Sequence, residues 1–257
     1  MTQEQRADAL IRALLAEKGE EDGIAVPDDP EKKRRLLRGL MNVRPPMPAG
    51  ADFLAVQDAY LKQRLAERGV TGLRELQPVR PGLYLWQGDI TTLAVDAIVN
   101  AANSRMLGCF VPCHGCIDNA IHTYAGVQLR LECARIMARQ EGEEPAGRAK
   151  ITKAYNLPCR YVLHTVGPII YDDVTRTDRN LLAGCYRSCL DLAAENGLQS
   201  VAFCCISTGE FRFPNELAAE IAVRTVTEWQ QQNPDRMEVV FNVFKDRDFG
   251  IYRRLLG

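Results

Sequence analysis

The side chains most able to do chemistry in this sequence lie in one stretch, GCFVPCHGCIDNAIH, at residues 108–122. Cys109, Cys113, His114 and Cys116 are soft or borderline ligands suited to zinc, and their spacing lets one loop wrap a single ion. A site using all four would be structural, whereas three ligands would leave a position for water or substrate. Because neighbouring side chains tend to point apart, we expect Cys113 or His114 to be excluded. Buried or redox-active thiols are the alternative that the spacing leaves open.

Two further ionisable side chains follow at the start of a predicted amphipathic helix. Asp118 suits a helix cap, which is the commoner role of an acidic residue at such a position. The alternative is a carboxylate that faces the metal loop and orients or deprotonates a water molecule. His122 lies one helical turn further on, and we interpret it as a packing histidine rather than a fourth ligand.

Composition limits what such a site can act on. The 257 residues, 46% of them hydrophobic, can form one sizeable α/β domain with an extension, or two small domains. Lys and Arg total 32 against 33 Asp and Glu, so no overall field attracts nucleic acid or an anionic membrane, and a small or polar ligand is favoured. The N-terminus lacks a signal-peptide pattern, and no apolar run approaches about 18 residues, which predicts a cytoplasmic protein.

The other cysteines have a different pattern. Nine is an odd number, and four of the nine lie within apolar helical or strand patterns: Cys185, Cys189, Cys204 and Cys205. We therefore predict reduced thiols rather than a disulfide framework.

The elements that must position the cluster fall into two regions, 1–75 and 76–257. In the first, helices are predicted between the breaks GIAVPDDP and VRPPMPAG, with one apolar face formed by Leu10, Ile11, Leu14 and Leu15. We interpret this N-terminal helical extension as a packing segment that shields one side of the main domain. A partner-binding surface is the alternative.

The second region is typical of an α/β fold with a mostly parallel or mixed sheet, because short apolar runs alternate with longer amphipathic ones. We predict strands in LYLWQGDI, DAIVNAA, ITKAYNL, YVLHTVG, SVAFCCIS and EVVFNVF. Helices are predicted over 117–138, 179–196, 215–232 and 247–256.

In such sheets a ligand lies beyond the carboxyl ends of the strands, so the segments leaving those ends are candidate binding residues. GDITTL offers Asp89, which could accept a hydrogen bond from an exocyclic amine, although a turn or cap is its commoner role. NAAN places Asn100 and Asn103 around two alanines, where the amides suit sugar hydroxyls or brace the turn. STGEFRFP joins a strand to a helix through residues 207–209. This loop either binds an anion through backbone N–H groups or is an ordinary connection. FKDRDF follows the last predicted strand.

Taken together, GDIT, DAIVNAAN, IDNAIHTYAG, YNLPCRYVLHTVGP and STGEFRFP resemble the macrodomain family in order and spacing, over about residues 82–245. The resemblance implies a three-layer α/β fold, with a mixed central sheet flanked by helices, that binds ADP-ribose. Most macrodomains have a glycine-rich loop after the second Asn, but here GCFVPCHGC replaces it and resembles the zinc-containing branch of protein-ADP-ribose hydrolases. On that match Cys109, His114 and Cys116 hold one Zn²⁺ per chain, and Cys113 is a bystander.

The resemblance also implies roles for single residues. Asp89 would hold the adenine amine, with Ile90 lining that end of the cleft and Phe244 packing against the base. Asn103 would meet the distal ribose, and Asp118 matches the acidic residue that hydrolytic macrodomains place there, which makes these two the predicted catalytic residues. The loop over the diphosphate would consist of Ser207, Thr208, Gly209, Glu210 and Phe211.

The implied function is zinc-dependent hydrolysis that releases ADP-ribose from mono-ADP-ribosylated protein side chains. The expected partners are therefore the modified protein and ADP-ribose, without nucleic acid or membrane. A non-enzymatic ADP-ribose reader and a deacylase of O-acyl-ADP-ribose are the alternatives. Two residues depart from the family pattern: Glu210 adds a carboxylate to a loop that covers phosphates, and Arg212 replaces a small residue between two aromatics.

Overall fold

The computed structural model describes residues 1–20, 23–234 and 236–257. Three helices come first: α1 (Gln3–Lys18), α2 (Pro30–Val43) and α3 (Ala51–Arg68). Helix α1 begins with a capping box, in which the Thr2 hydroxyl accepts from the Gln5 backbone and the Gln5 side chain accepts from the Thr2 backbone. Asp29 caps α2, and Pro30 fits the first helical position because its fixed φ suits a helix.

The three helices share a small apolar core. The predicted apolar face of α1 is confirmed, since all four of its residues are buried against α2 and α3: Leu10, Ile11, Leu14 and Leu15. Val127 belongs to the same core although it lies far along the chain. The N-terminal helices are therefore joined to the rest of the molecule by apolar packing.

In the part of the chain that the structure describes, nine strands and five further helices follow α3. The strands are β1 (Thr71–Gly72), β2 (Pro78–Arg80), β3 (Leu83–Gln87), β4 (Leu93–Ala94), β5 (Ala97–Ala101), β6 (Ala149–Lys153), β7 (Tyr161–Thr165), β8 (Ser200–Phe203) and β9 (Glu238–Val243). The helices are α4 (Ile117–Ala125), α5 (Val127–Met137), α6 (Arg176–Glu195), α7 (Asn215–Gln232) and α8 (Asp246–Leu256). All six strand predictions are confirmed, most of them with shorter ends.

Seven of the strands form one sheet in the order β2-β3-β9-β8-β5-β7-β6. The five inner strands run parallel, and β2 and β6 pair antiparallel at the two edges. Strands β1 and β4 form a separate parallel pair. The predicted mixed sheet flanked by helices is confirmed. Because the inner strands run parallel, the carboxyl ends of β3, β5, β8 and β9 lie at the same edge of the sheet.

The prediction of a single helix over 117–138 is wrong. The chain breaks at Gly126, which has a φ of 97°, between α4 and α5. A side chain at Gly126 would meet the Gln57 amide of α3 at 2.7 Å, and Gln57 itself accepts a hydrogen bond from the Val127 backbone at 2.9 Å. An unusual backbone angle and a close approach therefore require glycine here. The other three helix predictions are confirmed, with ends that differ by up to three residues.

All nine cysteines are free thiols, as predicted, and the pair in α6 and Cys204 are buried. Within the described ranges, no helix is both long enough and apolar enough to cross a bilayer.

Candidate active site

A cleft of about 1190 Å³ opens beyond the carboxyl ends of β3, β5, β8 and β9. Every residue to which the family resemblance gave a role lines this one cleft: Asp89, Ile90, Asn103, Cys109, His114, Cys116, Asp118, Ser207, Thr208, Gly209, Glu210, Phe211 and Phe244. The fold thus brings together segments that lie as much as 155 residues apart along the chain. We call residues 108–116 the metal loop and residues 207–211 the β8 loop.

Three side chains of the metal loop form a compact group of potential ligands. The donor atoms of Cys109, His114 and Cys116 all lie within 4.8 Å of one another, and Cys109 Sγ is 3.7 Å from His114 Nδ1. A tetrahedral zinc ion bound at the usual bond lengths would separate a sulfur and a nitrogen ligand by about 3.6 Å. The donor set and its spacing therefore fit zinc.

Cys113 lies outside this group. Its backbone has a φ of 55°, in the left-handed region, and its thiol points to the carbonyl oxygen of Arg35, 3.3 Å away on α2. Burial raises the pKa of the Cys116 thiol to about 12, whereas a cation held beside it would favour the thiolate.

Asp118 is buried at the wall of the cleft, with 4% of its surface exposed. The Asn100 amide donates to Oδ1 at 2.8 Å, and the Asn103 amide donates to Oδ2 at 3.2 Å. Burial raises the pKa of Asp118 to about 6, opposed by these amides and by the charge of Arg130. Asp118 does not cap α4; Cys116 does, and its sulfur accepts from the Asn119 backbone at 3.4 Å.

Asn100 braces this carboxylate from below the cleft. It is fully buried, and its amide nitrogen lies 3.1 Å from His164 Nδ1. His164 Nε2 is 2.9 Å from the Thr152 hydroxyl, and burial lowers the pKa of His164 to about 3. His122, interpreted as a packing residue, is buried with Nε2 3.6 Å from Asp118 Oδ1, and its ring packs against Gly108. A neutral, close-packed layer therefore supports the acidic group.

The β8 loop has the features of an anion-binding turn. Ser207 has a φ of 64°, and its buried hydroxyl has no hydrogen-bond partner among the described residues. Gly167 makes room for it, since a Cβ there would lie 2.0 Å from the Ser207 oxygen. Backbone hydrogen bonds between described residues use the N–H groups of Thr208 and Arg212 but not those of residues 209–211, so these three N–H groups can donate to an anion.

The two departures from the family pattern behave differently. Glu210 turns toward the metal loop, with Oε1 3.6 Å from His114 Nε2. Arg212 is exposed and does not line the cleft.

The opposite end of the cleft contains Asp89, Ile90 and Phe244. Asp89 caps a short 3₁₀ turn, as expected of an acidic residue after Gly, through hydrogen bonds from the Thr91 backbone and hydroxyl. Its second oxygen accepts from Arg68 of α3 at 2.9 Å. Ile90 is almost wholly buried, whereas the Phe244 ring is 74% exposed.

Sequence reasoning missed the contribution of the N-terminal helices. Arg38 of α2 and Tyr124 of α4 also line the cleft, and Arg68 lies over the Tyr124 ring, 3.6 Å from its centre. No motif marks Arg38 or Arg68, because their role depends on packing between elements far apart in sequence; Tyr124 lies within IDNAIHTYAG, but no role of its own was predicted for it.

The sequence and the fold are similar to those of known proteins. The family model described as Macro domain matches residues 99–222. A protein-ADP-ribose hydrolase from Treponema medium is 57% identical over all of both chains, and one from Staphylococcus aureus strain MSSA476 is 51% identical over 96% of this chain and 94% of its own. The crystal structure of a Trypanosoma brucei macrodomain in complex with ADP-ribose matches with a TM-score of 0.67 and 31% identity, covering 90% of this chain and 97% of its own. The chain belongs to the macrodomain family.

Proposed function

We propose that this protein hydrolyses the bond between an amino-acid side chain and C1 of the distal ribose, releasing ADP-ribose from mono-ADP-ribosylated protein. Support comes from relatives that are named for protein-ADP-ribose hydrolysis and align along nearly the whole chain. Within the molecule, the observation that carries the proposal is the buried Asp118 carboxylate beside three potential metal ligands in one cleft. A site that only bound ADP-ribose would need no buried carboxylate at that end.

Different residues of the cleft would contact different parts of the bound ADP-ribosyl group. Asp118 would orient or deprotonate the attacking water, since a carboxylate held by two amides can receive a proton without moving. Asn103, which also lines the cleft, would hydrogen-bond a hydroxyl of the distal ribose. The N–H groups of residues 209–211 and the Ser207 hydroxyl would hold the diphosphate.

At the far end Phe244 and Asp89 would bind the adenine. The exposed Phe244 ring offers a flat surface for the base. Asp89 would accept a hydrogen bond from its exocyclic amine.

Cys109, His114 and Cys116 would hold one Zn²⁺ against the distal ribose, as in the zinc-containing branch that the loop resembles. The chemistry that zinc supplies in such a site is Lewis-acid activation of water and anchoring of substrate oxygens. Two thiolates offset the charge of the ion, which favours anchoring over the generation of hydroxide.

Mass spectrometry of a panel of Asp/Glu-, Ser- and Arg-linked ADP-ribosyl peptides, with and without chelator, tests this function. Without chelator, we expect at least one of the peptides to lose its ADP-ribosyl mass. With chelator, we expect every peptide to keep it. Cys116→Ala should abolish the release, while Cys113→Ala, the matched change at a non-ligand, should retain it. Tight ADP-ribose binding without release from any linkage or from O-acyl-ADP-ribose would identify a reader, and release from O-acyl-ADP-ribose alone would identify a deacylase.

A further inference from the structure

Helix α2 of the N-terminal extension contacts the metal loop through Asn42. This side chain is 1% exposed, and its Oδ1 accepts a hydrogen bond from the Cys113 backbone at 2.9 Å. Cys113 is in the left-handed region, at a φ of 55°, which costs free energy for a residue other than glycine. The hydrogen bond that the Cys113 backbone donates to Asn42 therefore holds the loop in a conformation that it would not otherwise prefer, next to the ligand His114.

A second contact from α2 reaches the same loop one turn earlier in the helix. Arg38 Nη2 donates to the His114 carbonyl oxygen at 3.0 Å and to Asn119 Oδ1 at 2.8 Å. The fully buried Asn119 in turn donates its amide to the Val111 carbonyl at 3.0 Å and its backbone N–H to the Cys116 sulfur at 3.4 Å. Arg38 thus holds the backbone of the ligand His114 directly, and it is connected to the ligand Cys116 through Asn119.

A third connection joins the end of α2 to the start of the loop. Arg130 of α5 donates to the Met41 carbonyl at 3.3 Å and to the Leu107 carbonyl at 2.7 Å. Its guanidinium also lies over the Phe110 ring, 4.2 Å from the ring centre. Both ends of the metal loop are therefore tied to the same helix.

These contacts matter because the loop has no regular secondary structure of its own. Each residue of such a loop loses about 1 to 2 kcal/mol of conformational freedom when it is ordered. If no other element held the loop, a metal ion would have to supply that ordering on binding, and its affinity would fall accordingly. Groups behind the ligands that pre-set their positions remove this cost.

We infer that α2 is the positioning element of the metal centre, with Asn42 and Arg38 as positioning residues that preorganise Cys109, His114 and Cys116. The inference rests on the metal site of the proposed function. It gives the N-terminal extension a part in the site beyond the shielding of one side of the domain.

Titration with Co²⁺, whose visible spectrum reports coordination geometry, tests the inference in the full-length protein. Asn42→Ala and Arg38→Met should each weaken Co²⁺ and Zn²⁺ binding about 10-fold or more, as measured by competition with a chromophoric chelator. The Co²⁺ spectrum should also change, which a purely structural loss of stability would not produce.

Two matched controls separate positioning from general destabilisation. Thr123→Val removes the other hydrogen bond of Asn42, from its amide to the Thr123 hydroxyl at 2.9 Å, and the bond from that hydroxyl to the Asn119 carbonyl at 2.7 Å, but it leaves the bonds of Asn42 to Cys113 and of Arg38 to the loop. Lys33→Met removes the ion pair between α2 and Asp8 of α1, 2.8 Å long, away from the loop. Both should bind metal within about twofold of the wild type and show its spectrum.

Three outcomes of these titrations would overturn the inference. Unchanged affinity and spectrum in both Asn42→Ala and Arg38→Met would overturn the positioning role while leaving the metal site intact. Equal losses in Thr123→Val would overturn it too, because the effect would then follow stability. A wild-type protein that binds neither metal would remove the metal site and this inference with it. If Asn42→Ala fails to fold, Arg38→Met alone tests the inference, because the Arg38 side chain is half-exposed and its replacement should leave the fold intact.

Discussion

At one end of the cleft the Asp118 carboxylate is buried under the metal loop, while at the other the Phe244 ring is 74% exposed. The buried end is supported by side chains from α2, α4 and α5 and by the fully buried Asn100. The open end is formed by a strand terminus, a 3₁₀ turn and one aromatic ring. Binding a flat base needs a surface, whereas cleaving a bond needs groups whose positions are fixed before the substrate arrives. We therefore expect turnover to depend on the buried end and ADP-ribose affinity on the open one.

Asp118→Asn should have the largest effect. The amide keeps the size of the carboxylate but cannot take a proton, so kcat should fall at least about 100-fold. ADP-ribose affinity, measured by calorimetry, should change only a few-fold. A variant that keeps wild-type kcat would contradict the assignment of chemistry to the buried end.

The buried end should also make the fold sensitive to acid. His164 titrates near pH 3 when folded and near 6.5 when unfolded, so the unfolded chain binds more protons between these values. Stability from this residue is therefore present above about pH 6.5 and lost as the pH falls. From pH 7 to pH 5 the wild type should lose about 2 kcal/mol more unfolding free energy than His164→Gln. Urea unfolding with chelator present measures this, and equal pH dependence in both proteins would contradict a buried neutral His164.

Phe244→Ala tests the open end. Because a base stacked on an aromatic ring contributes about 1 to 3 kcal/mol, ADP-ribose affinity should fall about 10-fold or more. With its ring exposed, the variant should unfold like the wild type, and kcat at saturating substrate should be retained. A loss of kcat with unchanged affinity would reverse the roles of the two ends.

Arg68→Met should have the smallest effect. The ion pair between Arg68 and Asp89 is partly exposed, so its loss is worth up to about 1 kcal/mol. We expect KM to rise by at most about fivefold, with kcat unchanged, in steady-state assays of ADP-ribose release. A fall of kcat instead would mean that α3 supports the reacting end.

Local sequence patterns were enough to predict six of the nine described strands and the residues that leave their carboxyl ends, but not the short strands β1, β2 and β4. The apolar runs around Ile98 and Val240 are fully buried in the sheet, and the parallel topology places Asn103 and Ser207 at one edge. Glycine inside the predicted helix 117–138 was the available signal for the break at Gly126.

The partners of these residues were not predictable in the same way. Arg38 contacts the His114 carbonyl across 76 positions, and Asn42 contacts Cys113 across 71. An Arg and an Asn on a helix usually face solvent, and only the packing of α2 against α4 gives these two a role. The sequence favoured Asp118 as the cap of α4. The helix begins earlier than that role requires, at Ile117, so Cys116 is the capping residue.

Release of ADP-ribose from a modified protein, measured as purified, after chelation and after return of Zn²⁺, tests the central claim most directly. We predict close to one zinc per chain and a fall in turnover of at least about 100-fold on chelation. ADP-ribose binding and the folded circular-dichroism spectrum should persist, and Zn²⁺ should restore turnover. Full turnover by metal-free, folded protein would contradict the claim that the metal loop takes part in the reaction.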